Sequence, residues 1–105
     1  MDHTLHSCRQ CQDLCLKGYA HVLREDYSNA LQMVLLDAAT ACAVAADFVA
    51  RDSPLHGRMC AACNYVCQVC ANICEEQYPA DELILQVAHA ANACAAACRE
   101  VSGSY

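Results

Sequence analysis

Residues 60–74 read CAACNYVCQVCANIC, with cysteines at 60, 63, 67, 70 and 74, in steps of three, four, three and four. That is the spacing of the a and d positions of a heptad, so on a helix all five thiols share one stripe. A strand would send successive side chains to opposite faces and scatter them. The stretch decides for a helix whose inward seam is sulfur where an ordinary bundle carries leucine.

The same rule holds outward from it. Near the N-terminus Cys8, Cys11 and Cys15 step by three and four. Between residues 29 and 51 a seam reads Leu31, Leu35, Ala38, Cys42, Ala45, Val49, and near the C-terminus another reads Ile84, Val87, Ala91, Cys94, Cys98. Breaks fall between these runs. The first helix is expected over residues 4–24, ending in Glu25-Asp26-Tyr27-Ser28, with Gly18 inside it as a defect of about 1 kcal/mol. The second is expected over residues 29–51. Ser53 is the expected N-cap of the third, with Pro54 at its first helical position. Tyr78-Pro79 ends it. Pro79 then opens the fourth, whose first turn carries Asp81 and Glu82, the charge a helix N-terminus favours, and Gly103 closes it. Four helices of about twenty residues on short connections predict an all-α, antiparallel up-down-up-down four-helix bundle with a cysteine-lined core. The chain, residues 1–105, reads as one domain.

Composition bounds the chemistry. Hydrophobic residues make up 57% of the chain, but eleven are cysteines and only six are aromatic, so packing alone supplies a thin core. The formal charge of −6 excludes a nucleic-acid partner, which needs clustered Lys and Arg. No run reads as the roughly 20 apolar residues of a membrane span. The opening MDHTLHSCRQCQ is polar and carries no export signal. Helical rather than loop spacing, and an odd number of cysteines, oppose a disulfide scaffold. Together these predict a cytoplasmic protein with reduced thiols.

Thiols three and four apart on a helix have Cβ atoms about 5–6 Å apart, against about 3.8 Å in a disulfide. Pairs such as Cys11/Cys15, Cys63/Cys67, Cys70/Cys74 and Cys94/Cys98 suit one ion held between two sulfurs. Soft thiolates favour Cu(I), zinc or iron–sulfur clusters. Zinc needs four converging ligands and an iron–sulfur cluster needs four thiolates around a compact core. The overlapping spacings set no group of four apart, and neither metal accounts for eleven sulfurs. Cu(I) cancels one negative charge per thiolate, so near-equal numbers of copper and sulfur leave a buried core almost neutral. The expectation is a chain of bridged Cu(I) ions on Cys8, Cys11, Cys15, Cys42, Cys60, Cys63, Cys67, Cys70, Cys74, Cys94 and Cys98. Loading then releases protons.

Helical rise predicts three layers: Cys8, Cys60 and Cys98; Cys11, Cys63 and Cys94; Cys15, Cys67 and Cys42. Cys70 and Cys74 then stand apart among Val22, Leu31, Leu35, Ile84 and Val87. His56, four residues before Cys60 on the same seam, is the candidate ligand at the mouth, with His6 and Met59 weaker. His3, His21 and His89 lie off the stripes and read as surface residues. Met33, Leu36, Val44 and Phe48 lie off the second seam and suit a contact between subunits.

The segments DSPLHGRMCAACNYVCQVCANICEE (residues 52–76) and ANACAAACRE (residues 91–100) resemble the third and fourth helices of the cysteine-rich four-helix-bundle copper storage proteins. The resemblance implies Cu(I) storage inside the bundle, a homotetramer and, in the absence of an export signal, a cytosolic location. Relatives carry more cysteines on the second and fourth helices, which implies a lower capacity here. The competing reading is a thiol-based redox or zinc-responsive regulatory protein whose inter-helix cysteines lock the bundle. An enzyme is not expected, because no histidine but His56 shares a cysteine stripe and no nucleophile–base–orienter set forms.

Overall fold

The structure, a computed structural model, describes residues 2–102. Four α-helices follow one another: α1 (Asp2–Arg24), α2 (Asn29–Ala50), α3 (His56–Gln77) and α4 (Glu82–Ser102). Each packs on its sequence neighbours and α4 closes on α1, giving an up-down-up-down bundle 41 Å long and 20 Å across. Among the described residues there is no strand.

The helix ends have local causes. At the end of α1 the Tyr27 amide donates to the Val22 carbonyl (3.0 Å) and the Asp26 amide to Leu23 (3.4 Å). At the end of α2 the Ser53 amide donates to Phe48 (2.9 Å) and the Asp52 amide to Val49 (3.0 Å). Both are Schellman closures, with aspartate where glycine is usual. Asp26 and Asp52 accordingly sit at φ 54° and 52°, a left-handed region that aspartate tolerates better than most residues. Ser28 caps α2, its hydroxyl accepting from the Leu31 amide at 3.2 Å.

Two starts differ from expectation. Ser53 does not cap α3. Its hydroxyl accepts from the Leu55 amide (3.1 Å) and its carbonyl from the His56 amide (3.1 Å), so residues 53–55 form a turn and the helix begins at His56. Pro79 likewise lies in a turn. Asp81 is the residue whose carboxylate accepts from the Ile84 amide (3.1 Å) and whose carbonyl accepts from Leu85 (2.9 Å), so α4 starts at Glu82. A side chain that satisfies an orphan amide outweighs a favourable proline φ. The expected stop at Gly103 lies outside the described residues.

Gly18 faces inward, and a Cβ there would stand 3.0 Å from Val87 Cγ2 and 3.7 Å from both Leu35 methyls. It marks the close approach of α1 to α2 and α4, not a mere defect. α2 departs from the composition reading, since by length and apolar content it is long enough to cross a membrane. Its Leu31, Leu35, Ala38, Cys42 and Ala45 stripe is fully buried in the bundle, as befits a core helix, while Met33 (66%) and Leu36 (40%) remain exposed.

The end of the bundle carrying the two inter-helix loops α1–α2 and α3–α4 is locked by polar and aromatic contacts. Tyr27 and Tyr78 stack at 3.8 Å. The Tyr27 hydroxyl donates to Asp81 Oδ2 at 2.7 Å, and His21 Nε2 donates to the same oxygen at 2.7 Å. Tyr78 accepts from the Ser28 amide at 3.0 Å. His21, expected at the surface, is thus a half-buried partner, its side chain 21% exposed.

Candidate metal centre

All eleven cysteines are fully buried and all are free thiols. The heptad reading places them inward as expected, three from α1, one from α2, five from α3 and two from α4. Their heights differ from the expected layers. The sulfurs of Cys8, Cys63, Cys94 and Cys98 lie within 4.8 Å of one another, as do those of Cys11, Cys42, Cys67 and Cys94. Cys63, not Cys60, is level with Cys8, and Cys67, not Cys63, is level with Cys11. The cause is the late start of α3. Losing two helical residues slides its cysteines about 3 Å toward the mouth.

Groups of four therefore do form, contrary to the expectation from spacing, and they interlock. Cys94 belongs to both. It contacts Cys8 at 3.6 Å and Cys42 and Cys63 at 3.8 Å each. Cys42 reaches Cys67 at 3.6 Å and Cys63 at 3.9 Å, and Cys63 reaches Cys67 at 3.8 Å. Cys8 reaches Cys98 at 3.7 Å, and Cys98 is close enough to Cys60 at the mouth to perturb its thiol.

Toward the other end Cys11 meets Cys15 at 3.9 Å. Beyond it, Cys15 and Cys70 perturb one another's thiols, as do Cys70 and Cys74. Cys70 and Cys74 lie outside the closely packed sulfurs, as expected, but within electrostatic reach of Cys15. Leu31, Leu35, Val22, Ile84 and Val87 are fully buried in the same core. The eleven sulfurs run along the core from Cys60 to Cys74, closely packed through its middle and aliphatic-walled at its inner end.

The electrostatics of this chain are collective. Thiol donors from Cys11, Cys42, Cys63 and Cys67 converge on Cys94 and hold it far below the ordinary thiol value. Cys70 is lowered in the same way by Cys15 and Cys74. The donors are pushed up: Cys63 by its neighbours Cys42 and Cys67 above all, Cys15 by Cys11 and Cys70, Cys74 by Cys70, with burial adding to each. For Cys60 burial itself leads. A thiolate in such a core is stable only where neighbouring S–H groups point at it, and the same pull that lowers Cys94 and Cys70 also lowers Cys11, through Cys15, Cys42 and Cys67.

The other expected residues divide by position. His56 begins α3, half-buried, with Nδ1 at 2.8 Å from the Ser53 carbonyl oxygen; Nδ1 donates, leaving Nε2 as the lone-pair nitrogen. Met59 is half-buried beside it, whereas His3, His6 and His89 are exposed. Two features escaped the sequence reading. One is the hub role of Cys94, which needs the relative heights of four helices. The other is the His21–Tyr27–Tyr78–Asp81 cluster, whose members lie up to 60 residues apart.

A helical bundle whose core is lined with buried, clustered thiols is the architecture of a protein that takes up soft metal ions. A sequence profile of the copper storage proteins matches residues 1–103. The chain belongs to the copper storage protein family. Among solved structures it is similar to the Cu(I)-bound copper storage protein BsCsp3, at 22% identity and a TM-score of 0.91 over 97% of each chain. It is also similar to the apo form of copper storage protein 3 from Bacillus subtilis, at 24% identity and a TM-score of 0.86, over 97% of this chain and 98% of that one. At these identities the likeness is one of fold. No curated protein matches the chain.

Proposed function

We propose that this protein stores and buffers several Cu(I) ions on its core thiolates, with all eleven cysteines as ligands and His56 as a further ligand at the mouth. One observation carries the reading: all eleven sulfurs are fully buried in one core, and eight of them lie within 4 Å of another. Such a core lets each thiolate bridge two ions, which brings the copper count near the sulfur count and the core charge near zero. Family membership supports it, as does the fold shared with a copper storage protein that is Cu(I)-bound.

The chain works as one domain whose role is binding rather than catalysis. A cytoplasmic setting fits, because a reducing compartment keeps thiols available. Exposed Met33, Leu36 and Val44 on the outer face of α2 suit a homo-oligomer, a tetramer by family likeness. Anaerobic Cu(I) titration of the reduced protein against a strong chelator tests the function. Saturation on the order of ten equivalents is expected from the one-ion-per-thiolate argument. Saturation at one or two equivalents overturns it.

A further inference from the structure

Among the copper ligands proposed above, the single cysteine of α2 has a setting of its own. The α2 seam is otherwise Leu31, Leu35, Ala38, Ala45 and Val49, yet Cys42 is fully buried and touches three other sulfurs.

Those contacts define a solid. Of the six edges joining the sulfurs of Cys42, Cys63, Cys67 and Cys94, five measure 3.6, 3.8, 3.8, 3.8 and 3.9 Å. The sixth, Cys67 to Cys94, is within 4.8 Å. A tetrahedral ion with metal–sulfur bonds of about 2.3 Å requires sulfur–sulfur edges of about 3.8 Å. Five of the six edges of that tetrahedron are already in place and the sixth is within 4.8 Å, with Cys42 as the corner from α2, Cys63 and Cys67 from α3, and Cys94 from α4.

We propose that Cys42, Cys63, Cys67 and Cys94 form a tetrathiolate site for one divalent d10 cation of the zinc class, distinct from the multi-copper loading of the same core. Starting from four neutral thiols, binding replaces four S–H bonds by four metal–sulfur bonds, releases four protons and involves no change of oxidation state. It leaves a net charge of −2 in the core. Helical amides are committed to their own carbonyls and cannot donate to these sulfurs. The nearest sulfurs outside the four are those of Cys8, 3.6 Å from Cys94, and Cys11, within 4.8 Å of Cys42, Cys67 and Cys94. An S–H···S hydrogen bond from either would spread that charge. The ion staples α2, α3 and α4 together while copper is scarce, and Cu(I) displaces it by claiming the shared sulfurs. The copper function does not depend on it.

Co(II) is the probe, because its absorption reports tetrahedral thiolate ligation directly. The full-length, reduced protein is titrated anaerobically. One equivalent with tetrahedral thiolate bands is expected, bleached by one equivalent of Zn(II). Cys42→Ala, which matches its alanine neighbours on the seam, weakens Co(II) binding at least tenfold. Cys74→Ala, at the inner end of the chain, leaves it unchanged, and helical circular dichroism verifies that both variants fold. Absence of thiolate bands, more than one tetrahedral equivalent, or equal losses in the two variants overturns the site. Failure here with full copper loading removes the tetrahedral site alone. Co(II) binding with copper saturating at one or two equivalents removes storage instead.

Discussion

At the scale of single residues, Gly18 shows how little room the thiol-lined bundle leaves. Alanine there would recover about 1 kcal/mol of helix propensity. It would also set a methyl 3.0 Å from the stiff, β-branched Val87, and overpacking of this kind costs about 1–3 kcal/mol. The second effect wins, so Gly18→Ala should lower stability by about 1 kcal/mol in urea unfolding of the metal-free protein. Combining it with Val87→Ala should cost less than the sum of the two single changes, because the new methyl then fills the vacated space. The heptad spacing put every cysteine on the correct face, since the period of a helix is a local property. It could not assign neighbours across the bundle. Cys8 pairs with Cys63 because residues 53–55 form a turn, a detail decided by Ser53 hydroxyl and carbonyl bonds that Pro54 concealed.

At the scale of elements, the junction of α1, α2 and α4 at the loop end rests on one carboxylate. Asp81 caps α4 and accepts from Tyr27 and His21. Burial pulls its pKa upward, but the bonds from His21 and Tyr27 outweigh that and hold it at about 2. The same bond pushes the Tyr27 hydroxyl up to about 12. An unfolded aspartate titrates near 3.9, so the folded value is depressed. The stabilisation is fully present above about pH 4 and is lost as pH falls toward about 2. Asp81→Asn keeps a capping oxygen but no charge. It should be less stable than the parent at pH 6 and should converge with it near pH 2, as followed by thermal unfolding across that range. A constant difference at all pH values would show that the carboxylate charge contributes nothing. No sequence pattern announced this cluster, because Tyr27 and Asp81 meet only once two loops are brought to one end. Its single legible sign was an aspartate beside the start of α4, and the proline two residues before it drew the helix boundary three residues early.

At the scale of the whole molecule, the fold was legible and the continuity of its lining was not. Residue type and period gave four helices and a sulfur seam. The approach of Cys15 to Cys70, which couples the inner thiols to the rest, depends on how far α3 slides along α1. That continuity makes folding and loading one equilibrium. Eleven buried thiols and six aromatic residues make a core with modest apolar burial, so bound ions that tie α1, α3 and α4 together add stability by mass action. Free Cu(I) at a thousandfold excess over its dissociation constant contributes about 4 kcal/mol for even one site. For a domain of this size that raises the melting temperature by at least about 15 °C. Each thiol that becomes a bridging thiolate also gives up its proton. In weakly buffered solution, then, protons released should track copper added until the thiols are spent, and the melting temperature should climb over the same interval. Copper that binds without releasing protons would lie on groups other than the core cysteines, and a melting temperature that stays flat as protons appear would place it on thiols exposed by unfolding.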